Sequence, residues 1–165
     1  MTQTDLEPDR YRAAMRRLVT GVCIVTARHD GIDHAMTVSS VASVSLEPML
    51  VLFCVENEAR FFDAVTDDGA FGISVLAADQ RWVADWLATR GRPLHGQLDR
   101  VPHRPGQRTG VALLDGSLAV LECRTTARHP AGDHTIVVGE VLTADVAAEA
   151  RPALIHHRSR YGHVD

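Results

Sequence analysis

Lysine is missing from this 165-residue chain: all 17 basic residues are arginine. That excludes Schiff-base and lysine-nucleophile chemistry. Any basic contact to a phosphate must come from arginine or protonated histidine, helped by hydroxyls and backbone N–H groups. Genome composition is a sufficient cause of the absence, and the chemical exclusion holds either way. Cysteine is sparse and odd in number. Cys23, Cys54 and Cys123 each sit in an apolar run, and no CxxC occurs. They read as buried thiols in a reducing compartment. No G-x-G-x-x-G follows a strand-like run, and neither GxxxxGK[ST] nor GxSxG is present, so the common nucleotide loops and the hydrolase elbow are absent. Nine histidines are scattered, with only His156 and His157 adjacent; nothing has zinc-ligand spacing. No apolar run reaches membrane-spanning length, and the first ten residues, MTQTDLEPDR, form no signal core. A cytoplasmic location is expected. A net charge of −4 argues against a non-specific nucleic-acid binder.

What is present suits one globular domain: 45% apolar and 23% charged residues. Residues 1–8 read as a flexible N-terminus and 9–165 as the domain. Asp9 is placed to cap a helix carrying Tyr11, Ala14, Met15 and Leu18 on one side, ended by Gly21. Val22–Ala27 is a β-branched run, and Asp30-Gly31 predicts a hairpin into His34–Val38. Met49–Val55 is a third strand, Arg60–Asp67 a short helix, and Phe71–Leu76 a further strand. Asp79 is expected to cap a helix that buries Trp82, Val83, Trp86 and Leu87. Residues 89–110 hold four Gly, three Pro, five Arg and two His. A loop this long is functional or mobile; its His103 reads as solvated, and His95 as solvated or facing a site. Val111–Leu114, Ser117–His129 and His134–Asp145 are strands joined through Asp115-Gly116 and Pro130–Asp133, and a short strand near Leu154–His156 follows. The expected fold class is mainly β: an antiparallel barrel with short helices, closure removing exposed edges.

The unusual stretch is Ala35–Arg60. Thr37, Ser39, Ser40, Ser43 and Ser45 crowd nine residues ahead of a buried strand. A sheet edge can absorb one or two such hydroxyls by bonding backbone or water. Five favour a polar ligand, with a phosphate or ribityl chain as the natural fit. Asn57-Glu58-Ala59-Arg60 reads equally as an anion seat at a helix start and as a plain Asn cap with a solvated Arg. His134, leaving the Gly132-Asp133 turn, is either a turn residue or a contact to substrate or cofactor.

Together these stretches resemble the flavin reductase family of FMN-binding split barrels, over roughly residues 10–164. The resemblance rests on Thr20–Thr26, Met36-Thr37-Val38-Ser39-Ser40, Ser43–Pro48, Leu50–Cys54, Phe71–Leu76, Leu118–Cys123, Gly132-Asp133-His134, Gly139-Glu140-Val141 and Tyr161-Gly162. It implies a homodimer of six-stranded, Greek-key-like antiparallel barrels with flavin near the dimer interface. Met36, Thr37, Val38, Ser39 and Ser40 would line the flavin ring and ribityl chain, with Ser45 also cofactor-binding. Asn57, Ala59 and Arg60 would approach the phosphate. His134 would stand near nicotinamide and the flavin ring as the catalytic residue, and Tyr161 would close the site. The implied activity is hydride transfer from NADH or NADPH to FMN or FAD, supplying reduced flavin to a partner monooxygenase. The rivals are a flavin- or deazaflavin-dependent oxidoreductase with its own organic substrate, and a non-catalytic flavin-binding protein. The chain departs from the family pattern at Ala35, Met49, Asn57 and Ser74. It also departs at Pro93-Leu94, where a Lys-Phe pair is familiar.

Overall fold

The computed structural model describes residues 7–67 and 69–165. Among them the chain is mainly β and its strand pairings are all antiparallel. The principal sheet has seven strands. In sheet order they are β3 (Ile32–Val38), β2 (Cys23–His29), β6 (Ala70–Val75), β9 (Ala119–Ala131), β10 (His134–Val146), β5 (Met49–Glu56) and β4 (Ala42–Leu46). A smaller sheet joins β1 (Thr20–Gly21), β11 (Ala153–His157) and β12 (Arg160–Val164), and β7 (His103–Pro105) pairs with β8 (Ala112–Leu114). The expected antiparallel β architecture is present. The main sheet gains a strand over the expected six because the hydroxyl-rich stretch itself pairs with β5 as β4.

Local chemistry sets the hairpins. Asp30 (φ 49°) and Gly31 (φ 76°) both adopt the left-handed region, the twist a two-residue hairpin needs. Burial alternates along β5, with Val51, Phe53 and Val55 inward. β2 is covered on both faces. Cys23, Val25 and Ala27 pack with Phe53, Val55, Phe71, Ile73 and Val137, while Ile24 packs with Leu76, Val83, Leu87, Leu114 and Leu154. Hence Val22–Ala27 is apolar with little alternation. Phe53 and Phe71 meet edge-to-face, centroids 5.1 Å apart. Gly139 is required where β10 crosses Phe71: a Cβ there would lie 2.5 Å from the ring. Burial pushes the Cys23 thiol up to about 11, and burial with the neighbouring Glu122 charge pushes Cys123 up to about 12.

Three expectations need correction. Helix α1 (Pro8–Met15) starts at Pro8, with Glu7 at the cap position and no side-chain cap. Proline is favoured at the first helical position, which moves Asp9 into the first turn, where it pairs with Arg12 at 2.8 Å. The stretch expected to be flexible over 1–8 otherwise lies outside the described residues. Helix α1 buries none of its residues, and Tyr11, Met15 and Leu18 are exposed. Helix α3 (Arg81–Ala88) follows a single 3-10 turn, Ala78–Gln80. Buried Gln80, not Asp79, anchors this start, accepting from the Ala77 amide (3.1 Å) and donating to the Asp115 carbonyl (2.9 Å). The helix thereby turns Val83, Ala84 and Leu87 inward and leaves Trp82 49% exposed. Helix α2 (Phe61–Asp67) buries Phe61, Ala64 and Val65 against the first core.

Candidate active site

A cleft of about 420 Å³ opens between β3, the end of β5, the start of α2, the end of α3 and the following loop. That volume suits a small-molecule or cofactor site. Its floor is apolar, from Met36, Ala59, Phe61 and Leu87, and its rim is charged, from Glu56, Glu58, Arg60, Arg90 and Arg92.

Edge strand β3 supplies one wall. Its outer side would leave Ala35 with a free amide and carbonyl. The loop fills both needs: Gln97 Oε1 accepts from the Ala35 amide (3.1 Å), and Arg92 Nη2 donates to the Ala35 carbonyl. Gln97 is buried; its Nε2 donates to the Pro93 carbonyl (3.1 Å) and its own carbonyl accepts from Trp86 Nε1 (2.9 Å). The Thr37 hydroxyl lies in the same cleft and donates to the Ala84 carbonyl of α3 at 2.8 Å. His34, also in the lining, is held below its usual value by burial first, then by repulsion from His29 and His95, with Asp33 opposing.

Of the expected site residues, the fold brings Met36, Thr37, Ala59 and Arg60 into this one cleft. The others stand outside its lining. Val38 is buried in the core and Ser39 is exposed. The Ser40 hydroxyl accepts from the Cys54 amide at 2.9 Å, latching the end of β3 to β5. Ser45 donates its hydroxyl to the Pro48 carbonyl within its own hairpin. Three of the five crowded hydroxyls therefore bond backbone. Asn57 is pinned to the β9–β10 turn: its amide donates to the Asp133 carbonyl (3.0 Å) and its Oδ1 accepts from Thr135 Oγ1 (2.8 Å). Tyr161 occupies a separate hollow with Arg81, Asp85 and His156, and the Arg81 guanidinium lies 5.7 Å from its ring centroid.

His134 stands outside the lining, next to one of its residues in the sheet. It pairs in register with Glu56, so the two side chains share one sheet face, and Glu56 lines the cleft. His134 Nδ1 bonds Asp133 Oδ1 at 2.7 Å. That bond, and the charge of the ring, hold Asp133 below the usual carboxylate value. With Nδ1 engaged, Nε2 is the ring nitrogen left to meet a ligand.

Sequence reasoning missed Arg90, Arg92, Gln97 and His34. The one available signal for the first two was arginine density in the long loop. Arg90 pairs with Glu56 at 3.5 Å, and Arg60 Nη2 donates to the Arg92 carbonyl at 2.6 Å. Among the described residues no group of three or more His, Cys, Asp or Glu could hold a metal, and no helix is long and apolar enough to cross a membrane.

The model of the flavin reductase like domain family matches residues 15–165. The chain belongs to this family. It is 38% identical over 159 residues to the NADH-dependent FMN reductase AsuE2 of Streptomyces nodosus subsp. asukaensis, covering 94% of this chain and 85% of the relative. Among solved structures it superposes on BorF, the flavin reductase component of a bacterial two-component tryptophan halogenase, with a TM-score of 0.90 and 42% identity over 96% of this chain and 98% of that one. It also superposes on the NADH:FAD oxidoreductase SgcE6 of Streptomyces globisporus C-1027 in complex with NAD and FAD fragments. There the TM-score is 0.89 and the identity 32%, over 99% of this chain and 98% of that one.

The cleft fits what a flavin reductase must hold. Its apolar floor suits a flat ring system, and its cationic donors suit a phosphate. One of those donors, Arg92 Nε, is buried with no hydrogen-bond partner among the described residues.

Proposed function

We propose that this protein is an NADH-dependent flavin reductase that delivers reduced flavin to a separate monooxygenase. The observation that carries the reading is the single cleft that joins the Met36–Thr37 strand wall to Arg60, with an apolar floor between them. Bound flavin would supply the hydride-accepting ring, and NADH the hydride. The chain's residues bind, orient and exclude water. Met36, Ala59, Phe61 and Leu87 offer the ring a dry surface. Arg60 neutralises phosphate charge. His134, the strand neighbour of Glu56, would offer Nε2 to the nicotinamide carboxamide, with Asp133 fixing the imidazole's orientation through Nδ1. No nucleophile on the protein is required, and catalysis is positioning of donor against acceptor.

We further propose that the site is completed in a homodimer. Val44, Leu46 and Met49 stand exposed on the β4–β5 hairpin, with Leu46 82% exposed. An apolar hairpin edge of this kind invites a partner surface. A second copy would also offer Ser39, Ser40, Ser45, Asn57 or Tyr161 a route to the flavin that one chain does not give them.

The test is NADH and NADPH consumption by purified protein with FMN or FAD added. NADH oxidation that requires added flavin is expected. His134→Ala should lower kcat/KM for NADH about 10- to 100-fold, roughly 1.4–2.7 kcal/mol, while flavin binding persists. No nicotinamide oxidation with either flavin would end the reductase reading. A monomer by sedimentation velocity at micromolar concentration would end the shared-site reading.

A further inference from the structure

Arg92 enters the cleft from the loop after α3. Two of its nitrogens hold it in place: Nη1 donates to the Thr89 carbonyl at 3.0 Å and Nη2 to the Ala35 carbonyl. Guanidinium carries five N–H donors, so one hydrogen on each of these nitrogens remains, together with the buried, unpartnered Nε–H. Arg60 is tied to the same residue through its bond to the Arg92 carbonyl. Burial, and then repulsion from Arg60, hold Arg92 below the usual arginine value. An arginine keeps its proton even so, and two cations therefore share one wall.

Among the described residues neither Arg60 nor Arg92 has an acidic partner within ion-pair distance. Glu56 pairs with Arg90 instead, and Glu58, also in the lining, is exposed and joins neither. Two guanidiniums lining one cleft with no acidic partner among the described residues favour a multiply charged anion. Planar N–H forks match phosphate oxygens in pairs.

We propose that Arg60 and Arg92 form a two-guanidinium seat for a phosphate group of the cofactor held in the cleft, and that Arg92 is the residue that separates phosphorylated flavin from riboflavin. This rests on the flavin reading above. A phosphate could come from the flavin or from the nicotinamide dinucleotide, and the two arms below separate them.

The measurement is the dissociation constant of FMN and of riboflavin by fluorescence titration, beside the KM for NADH with riboflavin as acceptor. Arg92→Gln should weaken FMN at least about tenfold and leave riboflavin within about twofold. Arg92→Lys should recover part of the loss, because charge returns without the fork. Arg60→Gln, at an exposed position, should repeat the FMN-selective loss, and it stands in if Arg92→Gln does not fold. A tenfold rise in NADH KM with both flavin constants unchanged would keep the seat, assign its phosphate to the dinucleotide and overturn the flavin discrimination. Equal weakening of FMN and riboflavin, or no change in any constant, overturns the proposal. Absence of binding of either flavin by the unsubstituted protein overturns the flavin reading along with it.

Discussion

On one side of the cleft, Ala35, Met36 and Thr37 sit in a strand paired to Thr26, Val25 and Ile24. On the other side, residues 89–97 have no strand partner; side chains hold them instead. Gln97 and Arg92 grip the Ala35 amide and carbonyl, and Arg60 grips the Arg92 carbonyl. The same device recurs further along the chain. Buried Glu122 on β9 accepts from the Arg108 and Thr109 amides (3.0 and 2.7 Å) and from the Thr109 and Thr143 hydroxyls (2.7 and 3.1 Å). A strand wall spreads its stability over many ladder bonds and a packed core. A loop wall concentrates it in a few side chains, so single substitutions should act locally there and globally in the strands.

The largest effect should follow from damage under the strand wall. Phe53 is fully buried against Phe71. Phe53→Ala leaves a cavity and should cost about 3–5 kcal/mol, a large share of a typical domain's stability. A drop of under about 1 kcal/mol in urea titrations would contradict this account of the core.

Next comes Glu122. Burial pushes its pKa up, but the hydrogen bonds from Thr109, Arg108 and Thr143 outweigh that, and the net shift is below the ordinary value of 4.5. A depressed carboxylate stabilises the fold above its unfolded pKa, and that contribution is lost as pH falls through the folded one. Glu122→Gln should therefore cost about 2–3 kcal/mol at pH 7, and the gap to the unsubstituted protein should narrow below pH 4.5. A gap that stays constant down to acid unfolding would show that the charge does not hold the loop. Gln97→Ala should cost less, about 1–2 kcal/mol, but act at one place: the Ala35 amide should exchange with solvent faster while the amide of Phe53 does not. Uniform acceleration would erase the distinction between the walls.

The same distinction explains what could be read from the sequence. Asp30-Gly31, the apolar run Met49–Val55 and the Gly132-Asp133 turn are local signals, and the strands formed where they pointed. Met36, Thr37 and Arg60 were expected together as cofactor contacts, and the fold brings them into one cleft. Within one chain the Ser40 and Ser45 hydroxyls bond backbone, and a hydroxyl that latches a backbone looks the same in sequence as one that faces a ligand. Trp82 failed for a similar reason: a single 3-10 turn ahead of α3 rotates the apolar stripe. Arg92 and Gln97 reach Ala35 across 57 and 62 residues. No spacing rule covers such a contact, since it exists only once the edge of β3 has formed.

The smallest effect separates two arginines in one loop. Arg90 and Arg92 stand two residues apart, and both line the cleft. The Arg90 side chain is 91% exposed and pairs with Glu56 at 3.5 Å. Exposed ion pairs contribute little, because solvent screens them and two long side chains must be ordered. Arg90→Ala should shift stability by under about 0.5 kcal/mol and change FMN binding less than twofold. Arg92→Gln should instead weaken FMN selectively. The contrast removes one positive charge from the same loop in both cases, so a general loss of attraction for anions cannot explain it. If Arg90→Ala weakens FMN as much as Arg92→Gln does, the cleft attracts phosphate by its overall field, and the seat formed with Arg60 has no special place.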